Sequence, residues 1–157
     1  MRDTAVVLVV EDREDDIVLI DKFFQSAGIP NPLQFVRTGE EAVAYLSAEG
    51  KYSNRAEYPL PALVLLDLKM PGMDGFEVLT WIRSQESLRV IPVIVLTSSN
   101  HISDVNRAYQ LGANSFFVKD FDFRNSVALA RLIQDYWLTK ARLPKSSRPS
   151  RKPNGHR

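Results

Sequence analysis

The stretch Leu63-Val64-Leu65-Leu66-Asp67-Leu68-Lys69-Met70-Pro71-Gly72-Met73-Asp74-Gly75 decides how the rest of the chain is read. Four apolar residues lead into one carboxylate, and a Pro-Gly turn follows at once. A continuous Leu/Val run bounded by turn residues predicts a strand buried on both faces, as in a parallel sheet covered by helices. Asp67 then lies at the carboxyl end of that strand, where open α/β sheets bind their ligands. Taken alone, Asp67 equally suits a plain turn cap, since Asp is common ahead of Pro-Gly.

Upstream, Ala5-Val6-Val7-Leu8-Val9-Val10 is a β-branched run that stops at Glu11-Asp12. Ile17, Leu19, Ile20, Phe23 and Phe24 then repeat at helical spacing until Gly28. Leu33-Gln34-Phe35-Val36 alternates like a short, less buried strand, and Thr38 suits an N-cap for a helix carrying Ala42, Val43, Tyr45 and Leu46. Residues 50–61 read as a loop, and the central strand at 62–67 follows. Downstream, Phe76, Val78, Leu79, Trp81 and Ile82 mark a third helix, and residues 92–97 form a second fully apolar strand. Residues 102–111 make a short helix stopped by Gly112, and Ser115-Phe116-Phe117-Val118 is a last strand ending at Lys119. A long helix with Val127, Leu129, Leu132, Ile133, Tyr136, Trp137 and Leu138 closes the fold near residue 141. Five β-α units without an internal repeat predict one doubly wound parallel sheet with helices on both faces.

A chain of 157 residues suits one domain with a proper core. The absence of cysteine excludes disulfides, thiolate metal sites and cysteine nucleophiles. The opening apolar run is too short for a signal-peptide core or a membrane span, so a cytoplasmic protein is expected. A net charge of +1 hides an asymmetry, because six of the 20 basic residues lie in 142–157, which has no acid. Residues 1–141 are correspondingly acidic, and the Pro/Ser/Arg-rich segment 142–157 reads as a solvated, disordered end. No basic helix, helix-turn-helix pattern or aromatic-basic sheet face suggests nucleic-acid readout.

The strand ends carry chemistry. Strand one ends in Glu11-Asp12, strand three in Asp67, strand four in Thr97-Ser98 and strand five in Lys119. In a doubly wound sheet these ends share one edge, and strands one and three flank the crevice. Carboxylates brought that close repel one another and are expected to be protonated or to need cations. Oxygen donors without His or Cys suit Mg²⁺ or Mn²⁺ rather than zinc. Each residue has a plain explanation by itself: a helix-start pair, a strand-end hydroxyl, a surface lysine. Together they suit a phosphoryl group, with cations neutralising its oxygens and a carboxylate attacking in line to give an acyl phosphate.

On these motifs the chain resembles the receiver domain of two-component response regulators. The match runs through Leu8-Val9-Val10-Glu11-Asp12, residues 65–75, Val95-Leu96-Thr97-Ser98 and Phe117-Val118-Lys119, and covers about residues 5–141. The resemblance implies a flavodoxin-like (βα)5 three-layer sandwich with strand order 2-1-3-4-5. It further implies that Asp67 accepts phosphate from a histidine kinase. By the same resemblance Asp12 and Asp67 hold Mg²⁺ with the backbone carbonyl of Lys69, and Glu11 helps through water. Thr97 bonds the phosphoryl group and reorients, Lys119 pairs with it, and Phe116 takes the place of the aromatic switch residue. Such a protein is a phosphoacceptor with slow autodephosphorylation, not a turnover enzyme.

The chain departs from the family in having Asp120 after Lys119, where a proline, often cis, is usual. A narrower similarity links it to stand-alone regulators that partner phytochrome-type histidine kinases. The long loop before strand three, residues 96–100 with Asp104-Val105 and Arg107-Ala108-Tyr109, and the ending Tyr136-Trp137-Leu138 followed by Leu143-Pro144 carry that similarity. It implies a homodimer through the last two helices and last strand, with Tyr136 and Trp137 near the contact unless Trp137 belongs to the core. The alternatives are a receiver-like interaction module that is never phosphorylated and a haloacid-dehalogenase-like phosphatase. The latter needs an acid two residues after the nucleophile, where Lys69 stands. A flavin-binding flavodoxin lacks its phosphate-cradling loop here.

Overall fold

The computed structural model describes residues 5–120, 122–140 and 144. The expected boundary at 141 and the basic segment 142–157 lie outside the described residues, Pro144 apart. Five strands, β1 (Val7–Val10), β2 (Leu33–Val36), β3 (Leu63–Leu66), β4 (Val93–Thr97) and β5 (Ser115–Val118), form one sheet. Every pairing is parallel, and the order is β2-β1-β3-β4-β5. The helices are α1 (Glu14–Ser26), α2 (Gly39–Leu46), α3 (Gly75–Ser84), α4 (Ile102–Gln110) and α5 (Phe123–Leu132).

Alternation along each strand divides the core in two. Leu8, Val10, Val64, Leu66, Val93 and Val95 pack with α2, α3 and α4 on one face. Val7, Val9, Leu63, Leu65, Ile94 and Leu96 pack with α1 and α5 on the other. Both faces are covered, so the central strands β1, β3 and β4 read as apolar runs rather than as alternating ones. The expected three-layer α/β/α architecture is therefore the one observed.

Strands β1 and β3 are shorter than their apolar runs, because Ala5, Val6 and Ala62 precede the ladder and Asp67 follows it. Thr38 caps α2 as expected, its Oγ1 accepting Glu41 N at 2.9 Å. Residues 50–61 are more than a loop. Gly50–Tyr52 forms a 3-10 turn that buries Tyr52, whose hydroxyl donates to Glu41 Oε2 at 2.5 Å. Arg55 then ties the segment down by donating to the carbonyls of Tyr45, Leu46 and Tyr58.

The last helix is not uniform. Its α-helical part ends at Leu132, and Ile133–Lys140 continues with wider π-type winding. Within it, Trp137 packs onto the α1/α5 core layer, with Tyr136 exposed beside it and the two rings edge to face at 5.2 Å. Of this aromatic pair, the hydrophobic contact belongs to Trp137 and the free surface to Tyr136.

Candidate phosphoacceptor and metal site

Three backbone hydrogen bonds carry the sheet past its strand ends and line up the polar residues. Glu11 N donates to Val36 O (3.0 Å), Asp67 N to Val10 O (3.1 Å) and Lys119 N to Thr97 O (2.7 Å). Glu11-Asp12, Asp67, Thr97 and Lys119 thus leave the sheet together at its carboxyl edge, beside the β1/β3 switch point.

The turn after Asp67 is closed by Gly75 N donating to Leu68 O at 3.0 Å. Asp74 and Glu77 form a reciprocal capping box at the start of α3, with contacts of 3.0 and 2.9 Å. Gly75 is demanded by packing, since a Cβ there would sit 2.2 Å from the Asp67 carbonyl oxygen. The chain doubles back so tightly that it fixes where Asp67 points.

Ligand oxygens of Glu11, Asp12 and Asp67 lie within 4.8 Å of one another. Glu11 is 1% exposed and Asp67 4%. The Lys119 ammonium enters among them, 2.6 Å from Glu11 Oε1 and 3.2 Å from Asp67 Oδ2. A further contact, 2.8 Å to Asp16 Oδ2, brings in a residue that the motifs did not include. Burial lowers the lysine pKa, but the hydrogen bonds to Asp16 and Glu11 and the charge of Asp67 outweigh it and leave it raised. Burial is also the chief reason that Glu11 is pushed up to about 7; the hydrogen bond from Lys119 opposes it and the charge of Asp67 adds to it.

Two buried side-chain oxygens have no hydrogen-bond partner among the described residues: Asp12 Oδ1 and Thr97 Oγ1. Unpaired buried polar atoms are costly, and at a functional edge they point to a ligand. An unpaired carboxylate oxygen in an all-oxygen donor set fits a hard divalent cation. Fully buried Thr97 offers its hydroxyl at the same edge. Phe116, on β5, is half-buried against the α2/α3/α4 side of the core.

The Lys119-Asp120 bond is trans. The Asp120 carboxylate accepts from Asp122 N (3.2 Å) and Asn125 Nδ2 (3.1 Å), so it is engaged at the start of α5. A second cluster lies over the loops beside Asp67. Asp104 Oδ2 receives Ser99 Oγ at 2.5 Å and sits 3.3 Å from Lys69 Nζ. The Ser99 hydrogen bond is the main reason that its carboxyl is held below the usual range.

The profile of the response regulator receiver domain matches residues 7–131. The chain belongs to that family. This receiver is 36% identical to response regulator Rcp1 of Synechocystis sp. over 139 residues, spanning 88% of the chain and 92% of Rcp1. It is 37% identical to a probable methanogenesis regulatory protein, FilR2, of Methanothrix harundinacea over 142 residues, 90% of the chain and 89% of FilR2. Among solved structures, the phosphorylated cyanobacterial phytochrome response regulator RcpA aligns with a TM-score of 0.82 at 37% identity, covering 90% of this chain and 99% of RcpA. The Mn²⁺-bound form of Rcp1 aligns with a TM-score of 0.79 at 35% identity, covering 89% and 99%.

The chain is thus a receiver related to phytochrome response regulators. Receiver domains work with sensor histidine kinases, bind Mg²⁺ or Mn²⁺ at an acidic pocket and are generally not classical enzymes. Among the described residues no helix is long and apolar enough to cross a membrane.

The raised pKa of Glu11 has a testable sign. Between its ordinary value of 4.5 and about 7, folded metal-free protein binds more protons at this site than the unfolded chain does. Its contribution to stability therefore falls as pH rises through that window. EDTA-treated receiver is expected to lose melting temperature between about pH 5 and about pH 8, and Mg²⁺ at the upper end to restore it. A melting temperature that rises over this range with EDTA present would show that Glu11 is already ionised in the fold.

Proposed function

We propose that this receiver accepts a phosphoryl group on Asp67 from the phosphohistidine of a sensor kinase, with Mg²⁺ required. The observation that carries this reading is a buried aspartate contacted by Lys119 and flanked by two unpartnered oxygens, Asp12 Oδ1 and Thr97 Oγ1. An Asp67 carboxylate oxygen forms the new P–O bond while the P–N bond of the donor breaks, and the imidazole keeps the electron pair. Asp12, Asp67 and the Lys69 carbonyl, with Glu11 behind, would hold Mg²⁺, which would supply charge neutralisation for the phosphoryl oxygens. Lys119 adds a second positive charge, and Thr97 donates its hydroxyl to a phosphoryl oxygen.

Thr97 moves inward as it makes that bond, and Phe116 follows. The face built from α4, β5 and α5 then changes its preferred partner, so the output is a population shift read by protein–protein contact. Exposed Ile102, Tyr109, Val118 and Leu132 on these elements, with Tyr136 on the π-wound turn that follows, support an interaction face there, and we assign it to a homodimer. Light scattering that finds a monomer with and without phosphorylation overturns the dimer. Similarity to RcpA supports a phytochrome-type kinase as the phosphodonor. Lys69, ion-paired with Asp104, stands where a phosphatase would need an acid, which supports transient phosphorylation over turnover.

Borohydride reduction of phosphorylated protein, followed by peptide mapping, tests the assignment. An acyl phosphate on Asp67 is reduced to homoserine at that position; reduction at another carboxylate, or none, contradicts it.

Lys69 and Ser99 border the approach of water to Asp67, and Asp104 clamps both. Asp104→Ala releases the two loops together and is expected to shorten the phosphoryl half-life several-fold, since closed sites hold off water. An unchanged half-life would separate the clamp from water access.

A further inference from the structure

The shortest contacts of Lys119 are not to Asp67. Its Nζ lies 2.6 Å from Glu11 Oε1 and 2.8 Å from Asp16 Oδ2, against 3.2 Å to Asp67 Oδ2. An ammonium has three donors, and Asp16 engages one of them. Asp16 lies in the first turn of α1, at helical spacing ahead of the buried residues Ile20, Phe23 and Phe24. Its side chain is 14% exposed, and the oxygen that meets Lys119, Oδ2, also lies 3.6 Å from Arg13 Nε. The contact is thus a part-buried, charge-assisted hydrogen bond rather than a solvated surface pair.

We propose that Asp16 is a positioning residue that restrains Lys119 in the unphosphorylated receiver, so that a phosphoryl group on Asp67 must draw the ammonium away from it. This rests on the reading of Asp67 as phosphoacceptor. A phosphoryl group brings new anionic oxygens to the Asp67 side of Lys119. Glu11 is the shorter and more deeply buried partner, so the Asp16 contact is the one that yields. The strength of Asp16–Lys119 then sets how readily the site accepts the anion. The plain alternative, an acid favoured at a helix N-terminus by the dipole, affects the stability of α1 and leaves anion affinity unchanged.

Calorimetric titration of the full chain with fluoroberyllate, a tetrahedral phosphoryl mimic, at saturating Mg²⁺ separates the two. Asp16→Asn is expected to tighten binding roughly three- to tenfold, the scale of one partly exposed charged hydrogen bond. Asp16→Glu, which keeps the charge, is expected to stay near wild type. In a Lys119→Met background the gain from Asp16→Asn should vanish, because the effect passes through the lysine. Unchanged or weaker binding by Asp16→Asn overturns the proposal, and so does an equal gain without Lys119, which marks a diffuse charge effect. Failure of the wild type itself to bind fluoroberyllate is a different outcome: it overturns the phosphoacceptor reading, and the Asp16 proposal with it.

Discussion

Lys119→Met is expected to destabilise the metal-free receiver by about 3–5 kcal/mol, the cost of stranding buried charges after one partner is removed. Lys119 Nζ is within 3.2 Å of three carboxylates, and Glu11 and Asp67 are almost fully buried. Methionine matches the length of the lysine stem, so the change tests charge more than volume. Proton uptake by Glu11, whose pKa is already near 7, recovers part of the loss at low pH. Mg²⁺ recovers part at neutral pH by supplying positive charge to the same oxygens. Urea unfolding with EDTA and with Mg²⁺ gives both numbers. A loss below about 1 kcal/mol in EDTA would mean that the carboxylates are solvated in solution rather than held by the lysine.

Gly75→Ala has the second large effect, and it acts through the backbone. The new methyl group would lie 2.2 Å from the Asp67 carbonyl oxygen and 2.6 Å from Leu68 Cα. Both are main-chain atoms, so no side-chain rotation relieves the clash. Either α3 moves off the sheet or the strand end carrying Asp67 shifts. We expect a cost of about 3 kcal/mol, at the upper end for overpacking. We also expect phosphoryl acceptance to fall far more than stability alone explains, because in-line attack tolerates little misplacement. Comparing the initial rate of acceptance with the fraction folded at the same temperature separates the two effects. A variant with full acceptance and wild-type stability would contradict the geometry of this turn.

The fold was legible because the three central strands, β1, β3 and β4, are apolar runs ending in a polar residue, and each helix starts or stops on a local signal such as Thr38 or Gly28. Strand ends were less so. The runs at 5–10 and 62–67 do not reveal which residues pair, since Ala5 or Ala62 is as apolar as its neighbours. Tyr52 and Arg55 were hidden because their anchoring is non-local: a polar stretch shows nothing of an arginine bonded to three carbonyls. The π-type winding after Leu132 left no trace in the spacing of Ile133, Trp137 and Leu138, which also suits an ordinary helix.

Legibility within the site followed the same line. Glu11, Asp12, Asp67, Thr97 and Lys119 were readable because the topology takes strand ends to one edge. Asp16 comes from a helix, and its signal was its place at the head of the stripe Ile20, Phe23 and Phe24, where a charge facing the sheet needs a partner. The joint contact of Asp104 with Lys69 and Ser99 depends on how two loops fold over one another, which no local pattern records.

Intact mass after incubation with acetyl phosphate tests the central claim most directly. Wild-type protein with Mg²⁺ is expected to gain one phosphoryl group, to gain none with EDTA, and Asp67→Asn to gain none in either condition. Equal labelling of Asp67→Asn, or an unmodified wild type under conditions that label other receivers, would contradict it.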